Sequence, residues 1–190
     1  MSDYLQPDFY RFNQDSLELV SWIKGQVEEA SSILDLGAGC GVIGIELATH
    51  YQPKNLSLVE AQKDFANYLE HNHQQFAPDV KTEISICSFS EFFPQDQFDL
   101  IAINPPYFLA GRGEVSSDPR KHQCRTFVRD NWQELFLCIK RALKPKGHCY
   151  IVIRKDPQVQ AEVSKFASMG FTMIQEEREK LLFIGLSLTE

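Results

Sequence analysis

The chain has 190 residues, 43% of them hydrophobic, and carries a formal net charge of −7. That is enough apolar material for one sizeable core, whereas no stretch reaches the ~18 apolar residues of a membrane helix. The opening "MSDYLQPDFYRF" has no basic region leading into an apolar run, so a soluble protein that is not exported is expected.

Five cysteines, Cys40, Cys87, Cys124, Cys138 and Cys149, are an odd number, widely spaced and without a C-x-x-C pair. They suggest neither a disulfide framework nor a zinc cage, and a reducing cytoplasm is the expected compartment. His71 and His73, two positions apart, do not share a helix face, so they read as solvated helix residues and no metal is expected.

In chain order, a first helix is predicted near residues 15–28 and strands near 32–36, 55–60, 82–87, 98–103 and 147–153, with helices near 42–50, 62–75, 126–143 and 157–169. Such alternation implies right-handed crossovers and a parallel sheet covered on both faces. The tail "FTMIQEEREKLLFIGLSL" breaks the alternation: two strand-like runs with no room for a helix between them must form an antiparallel hairpin. The expected fold is α/β, a mostly parallel seven-stranded sheet closed by that hairpin.

In doubly wound sheets ligands bind beyond the carboxyl ends of the strands. After the first strand, "ILDLGAGCGVIGIELA" places Gly37, Gly39 and Gly41 in the turn to the following helix, where backbone can approach a ligand closely and adopt positive φ. The string also fits a dinucleotide pattern through Gly39, Gly41 and Gly44, but Gly37 and Ala38 come between strand and pattern, and Asp35 is no part of it. A carboxylate beside the turn suits a cationic or hydroxyl-bearing ligand better than a pyrophosphate. Glu60 closes the second strand, 19 residues after Gly41, where it can accept both hydroxyls of a ribose or serve only as a helix-start acid.

The fourth strand ends in "INPPYF", with Asn104, Pro105 and Pro106 followed by Tyr107 and Phe108. Two prolines cannot extend a sheet ladder. The Asn104 side-chain oxygen and the Pro105 carbonyl, held by restricted backbone angles, can instead accept both hydrogens of an NH₂ group. Directly after this elbow the charge reverses. Residues 112–146 hold nine cations against four carboxylates, a net of +5, which leaves −12 for the rest of the chain.

"DLGAGCG", Glu60 and "NPPY", in this order and spacing, resemble the class I S-adenosylmethionine-dependent methyltransferases that act on planar nitrogens. The resemblance implies a Rossmann-like fold with residues 1–190 as one methyltransferase domain, residues 1–30 capping the cofactor pocket, and S-adenosylmethionine as cofactor. It implies catalytic roles for Asn104, Pro105 and Tyr107, the tyrosine stacking on the planar substrate, and a cofactor pocket built from Asp35, Gly37, Gly39, Gly41, Glu60 and Asn104.

The flanks "YRFNQDSLELVSWI" and "NPPYFLAGRGEVSSDPRKHQCRTF" are further similar to the bacterial tRNA (valine) adenine-N6 methyltransferases. In that family an aromatic and a polar residue of the leading segment help close the pocket, pointing here to Phe12, Gln14 and Asp15, with Asp15 equally readable as a helix N-cap. The resemblance implies an RNA partner, tRNA first, met by Pro106, Phe108, Arg112, Arg120, Lys121 and Arg125, with the cations on phosphates. Phe108 is a second stacking face or an apolar lid. Where the superfamily often has an acid after the third strand, this chain has Cys87 and Ser88; Ser88 is the candidate for the cofactor's adenine. The alternatives are a release-factor type glutamine methyltransferase, a nicotinamide-dependent oxidoreductase and a non-catalytic binding module.

Overall fold

A computed structural model of the chain describes residues 4–106 and 117–189. The described elements are α1 (Gln14–Gln26), β1 (Ser32–Leu36), α2 (Val42–Tyr51), β2 (Asn55–Glu60), α3 (Ala66–Phe76), β3 (Thr82–Ile86), β4 (Phe98–Ile103), α4 (Pro119–Gln123), α5 (Trp132–Ala142), β5 (Leu143–Arg154), α6 (Pro157–Ser168), β6 (Phe171–Arg178) and β7 (Leu181–Leu188). They form one seven-stranded sheet in the order β3-β2-β1-β4-β5-β7-β6. The first five strands run parallel, and β7 inserts antiparallel between β5 and β6. The expected Rossmann-like sheet with its closing hairpin is thus the fold observed.

Strand side chains alternate between two cores, as the period of two requires. Ile33, Leu56, Leu58, Leu100, Tyr150 and Phe183 face α1, α2 and α3, together with Leu19, Ile45 and Leu69. Leu34, Leu36, Val59, Ile101, Ile103 and Ile184 face α5 and α6, together with Phe136, Ile139 and Phe166. The central strands are buried on both sides, which is why they read as unbroken apolar runs. Between β3 and β4 the chain makes only turns. On the sheet face there, Ser32, Ser57, Ser85 and Cys87 line a polar cleft closed by Lys144, and Lys144 pairs with Asp99 at 2.9 Å.

Helix α1 is fixed far from its sequence neighbours. Trp22 packs edge-on against Tyr150 of β5, lies tilted on Phe183 of β7, and donates from Nε1 to Glu176 of β6 at 2.8 Å.

Three boundaries differ from expectation by four residues or more, one of them the start of α3 at Ala66 rather than near 62. The helix expected over 126–143 begins only at Trp132, because Asn131 has extended backbone and its side chain accepts from the Glu134 amide at 3.0 Å, an N-cap that starts the helix there. Strand β5, expected from 147, begins at Leu143, since pairing with Phe98 precedes a register shift to Leu100–His148. Among the described residues no helix is long and apolar enough to cross a membrane, and no group of three or more His, Cys, Asp or Glu could hold a metal ion.

Candidate active site

The turn from β1 to α2 is built by its glycines. Gly37, Gly39 and Gly41 have φ of +79°, +56° and +87°, a region open to glycine and strained for other residues. The turn docks on the neighbouring strand, because the amides of Gly37 and Ala38 both donate to the Val59 carbonyl at 2.9 Å. One turn into α2, Gly44 sits so close to the sheet that a Cβ there would meet Leu58 at 2.6 Å and Asp35 at 2.9 Å.

Asp35 lies under this turn rather than in the cleft. It is fully buried, one carboxyl oxygen accepts from the Gly44 amide at 2.8 Å, and the other has no partner. Burial, with Glu60 as a nearby like charge, pushes its carboxyl up to about 7 despite the Gly44 hydrogen bond. Its role is to hold the N-terminus of α2 and so the shape of the glycine turn.

Glu60 closes β2 at the mouth of the turn. Its two oxygens accept from the Gly39 and Gln62 amides, each at 2.8 Å. Burial raises its pKa against the lowering effect of those amides. The carboxylate is held at the rim of a cleft whose lining includes Gly37, Gly39, Glu60, Ala61, Phe65, Phe89 and Asn104. From the leading segment Tyr10 enters this cleft, its phenol pushed up to about 12 by burial and therefore neutral.

Asn104 and Pro106 line the same cleft from the end of β4. The Asn104 amide is oriented by α1: its Nδ2 donates to Ser16 Oγ at 3.0 Å, and Ser16 is buried. A planar amide that gives its nitrogen to Ser16 carries its oxygen on the opposite edge. Asn104 also borders a second cleft, shared with Pro105 and lined by Asp8, Arg11, Lys121, Arg125 and Arg154. Tyr10, Asn104 and Cys124 belong to both linings and mark the partition.

Of the residues expected in the cofactor pocket, the structure brings Gly37, Gly39, Glu60 and Asn104 together. Gly41 instead faces Ile45 and Leu69 as the cap residue of α2. Gln14 is exposed at the start of α1 and Phe12 packs edge-on against Tyr4; neither is in the lining of the cleft, where Tyr10 supplies the aromatic. Ser88 is buried and its hydroxyl is engaged by Glu91 at 2.7 Å and Ser90 at 3.0 Å, so Phe89 and Asp130 line the cleft at that point.

Of the expected substrate contacts, Pro106 lines the first cleft, and Lys121 and Arg125 the second. Arg120 is held elsewhere: its guanidinium pairs with Asp118 at 2.8 Å, lies 4.0 Å from Asp8 and stacks over the Phe9 ring at 4.5 Å. Tyr107, Phe108 and Arg112 fall outside the described residues.

Sequence reasoning missed Tyr10, Ser16, Arg11 and Arg154. The first three lie within a few positions of residues that were singled out, but the side that faces the clefts is set by how α1 packs. Arg154 carries no local signal at all.

A family model described as "Methyltransferase small domain" matches residues 11–180. A tRNA1(Val) (adenine(37)-N6)-methyltransferase of Cytophaga hutchinsonii is 30% identical over 126 residues, 64% of this chain and 51% of the relative. An enzyme of the same name from Pedobacter heparinus is 25% identical over 165 residues, 86% of this chain and 69% of the relative. The matched region therefore spans about half to two thirds of such relatives. Among solved structures, a precorrin-6y C5,15-methyltransferase of Geobacter metallireducens superposes with a TM-score of 0.66 at 12% identity, covering 99% of this chain and 95% of that one, a likeness of fold alone.

Proposed function

Because the chain belongs to the methyltransferase small domain family, whose members and fold imply S-adenosylmethionine as methyl donor, we propose that it forms N6-methyladenine in RNA, with tRNA as the substrate. The observation that carries this reading is the position of Asn104 at the partition between a cleft that suits the donor and a cleft lined by cations, with Pro105 beside it in the second. The names of the relatives support adenine in tRNA as the target.

The residues present fit the donor. Glu60 is placed to accept the hydroxyls of a ribose, the glycine turn lets main chain approach closely, and Phe65, Ala61 and Phe89 supply apolar walls. The Glu60 carboxylate makes this side of the site suitable for a positively charged ligand. When bound, the donor supplies a methyl group on a positively charged sulfur.

Asn104 and Pro105 act on the acceptor. The Asn104 side-chain oxygen and the Pro105 carbonyl take hydrogen bonds from the two N–H groups of an exocyclic amine, which turns the nitrogen lone pair out of conjugation and toward the methyl group. These acceptors gain strength as positive charge develops on nitrogen. A proton then leaves the amine for solvent, so no side-chain base is required. An adenine stacked inside a stem cannot reach this point, and an unpaired loop base turned outward can.

The test is incubation with labelled S-adenosylmethionine and, separately, unmodified tRNA, ribosomal RNA or release factor, followed by digestion and identification of the product by mass. N6-methyladenosine in tRNA is expected. Label in a protein glutamine would replace this reading with the glutamine alternative.

A further inference from the structure

Resting on the RNA reading above, we propose that the second cleft is a phosphate clamp in which Arg11, Lys121, Arg125 and Arg154 hold a phosphodiester of the strand beside the nucleotide whose base reaches Asn104.

The charge of the cleft is the first argument. In a protein of net charge −7, four cations converge on one opening, and among the described lining residues the single carboxylate, Asp8, lies 4.0 Å from the Arg120 guanidinium. The convergence is not a by-product of one helix face. Arg11 comes from the segment before α1, Lys121 from α4, Arg125 from the loop after it, and Arg154 from the last position of β5. Three of the four are arginines, whose planar fork matches two phosphate oxygens where a lysine offers a point charge.

Position is the second argument. Arg154, the last residue of β5, lines the same cleft as Asn104 and Pro105, which follow the end of β4, the parallel neighbour of β5. The cations thus border Asn104 and Pro105 in the cleft apart from the donor cleft, whose lining carries Glu60 and Asp130 against one cation, Arg129, and is the poorer place for a phosphate. The clamp draws on Arg11 and Arg154, which lie outside the basic segment, and on Lys121 and Arg125 within it.

Binding of an unmodified tRNA transcript, measured by anisotropy across a salt series, tests the clamp. Arg11→Gln and Arg154→Gln should each weaken binding about tenfold at low salt and reduce the slope of log K against log[salt] by about 0.7–0.9, one released counterion each. S-adenosylmethionine affinity should stay unchanged in both. Arg154→Lys should restore most of the slope, and Lys146→Gln, exposed near the opposite end of β5, should leave it at the wild-type value. Replacing single phosphates of a tRNA stem-loop that contains the methylated adenine by methylphosphonates should reveal one position whose neutralisation adds nothing to the Arg154→Gln loss.

Two outcomes overturn the clamp and are distinguishable. If the wild type methylates tRNA while both glutamine variants keep its salt slope, the clamp is wrong and the RNA reading stands. If the wild type methylates protein and no RNA, both fall together.

Discussion

The two clefts that meet at Asn104 are built in opposite ways. The cleft proposed for the donor is made largely of backbone and buried groups: the positive-φ Gly37 and Gly39, Glu60 fixed by two amides, and Asp35 propping the turn from below. The cation-lined cleft is made of side chains from three separate segments, with Arg11, Arg125 and Arg154 all exposed. A small ligand that is always the same rewards a rigid, preorganised site, whereas a large polyanion is caught by charges that need only be near. Damage to the first cleft should therefore be steep and local, and damage to the second graded and salt-dependent.

The largest effect is expected at the partition. Asn104→Ala removes an acceptor that matters most as charge develops on the amine, so turnover should fall on the order of 10²-fold or more, with both ligands still bound and little change in thermal stability. Single-turnover rates at saturating substrate check this, and near-normal rates would refute the role of the amide. Next comes Glu60→Ala, which should weaken S-adenosylmethionine binding by roughly 1.5–3 kcal/mol through loss of a charge-assisted contact. It should also lower thermal stability, since the Gly39 and Gln62 amides lose their acceptor. Calorimetry against S-adenosylmethionine and NAD reads both the loss and the choice of ligand; tight binding of NAD alone would remove the methyltransferase assignment.

A smaller effect follows from pH. Burial lifts the Asp35 carboxyl from 3.8 to about 7, so over that interval the folded chain retains a proton that the unfolded chain gives up. The contribution of this group to stability is complete below about pH 4 and is lost as the pH rises through about 7. Asp35→Asn should flatten that decline, and urea midpoints at pH 5 and 8 compare the two proteins; parallel curves would show that Asp35 is ionised throughout. The smallest effect is expected from Arg120→Gln. Because Arg120 is engaged by Asp118 and Phe9, its removal should leave the tRNA salt slope almost unchanged while Arg125→Gln lowers it. Equal slopes for the two variants would extend the clamp to α4 as a whole.

The same contrast explains what could be read from sequence. Strands β1, β2 and β4 are buried on both faces, so their apolar runs and turn residues are strong local signals and their boundaries coincide with expectation. The glycine turn and Glu60 are adjacent to those strands and were legible with them. The start of α5 was not, because the stretch before Asn131 has helix-compatible residues and only the N-cap decides where the helix begins. Phe12 and Gln14 were singled out where Tyr10 and Ser16 do the lining and the orienting, since one or two positions on a loop or helix change the side that is presented. Ser88 fitted the position of an adenine contact, but a neighbouring Glu91 engages its hydroxyl, which strand position cannot reveal. Arg154 becomes visible only when β5 is laid beside β4, a pairing between residues far apart in sequence.

The docking of α1 has a consequence for how the site comes into being. Ser16 orients the Asn104 amide, and the helix that carries it is held through Trp22 by Tyr150, Phe183 and Glu176, the last of these 154 positions away. Closing so long a loop is slow and entropically opposed until many other contacts are in place. The contacts of the glycine turn with Val59 and Glu60 are local by comparison, so the turn is expected to form before α1 docks, and the Asn104 amide is expected to reach its observed orientation only late in folding.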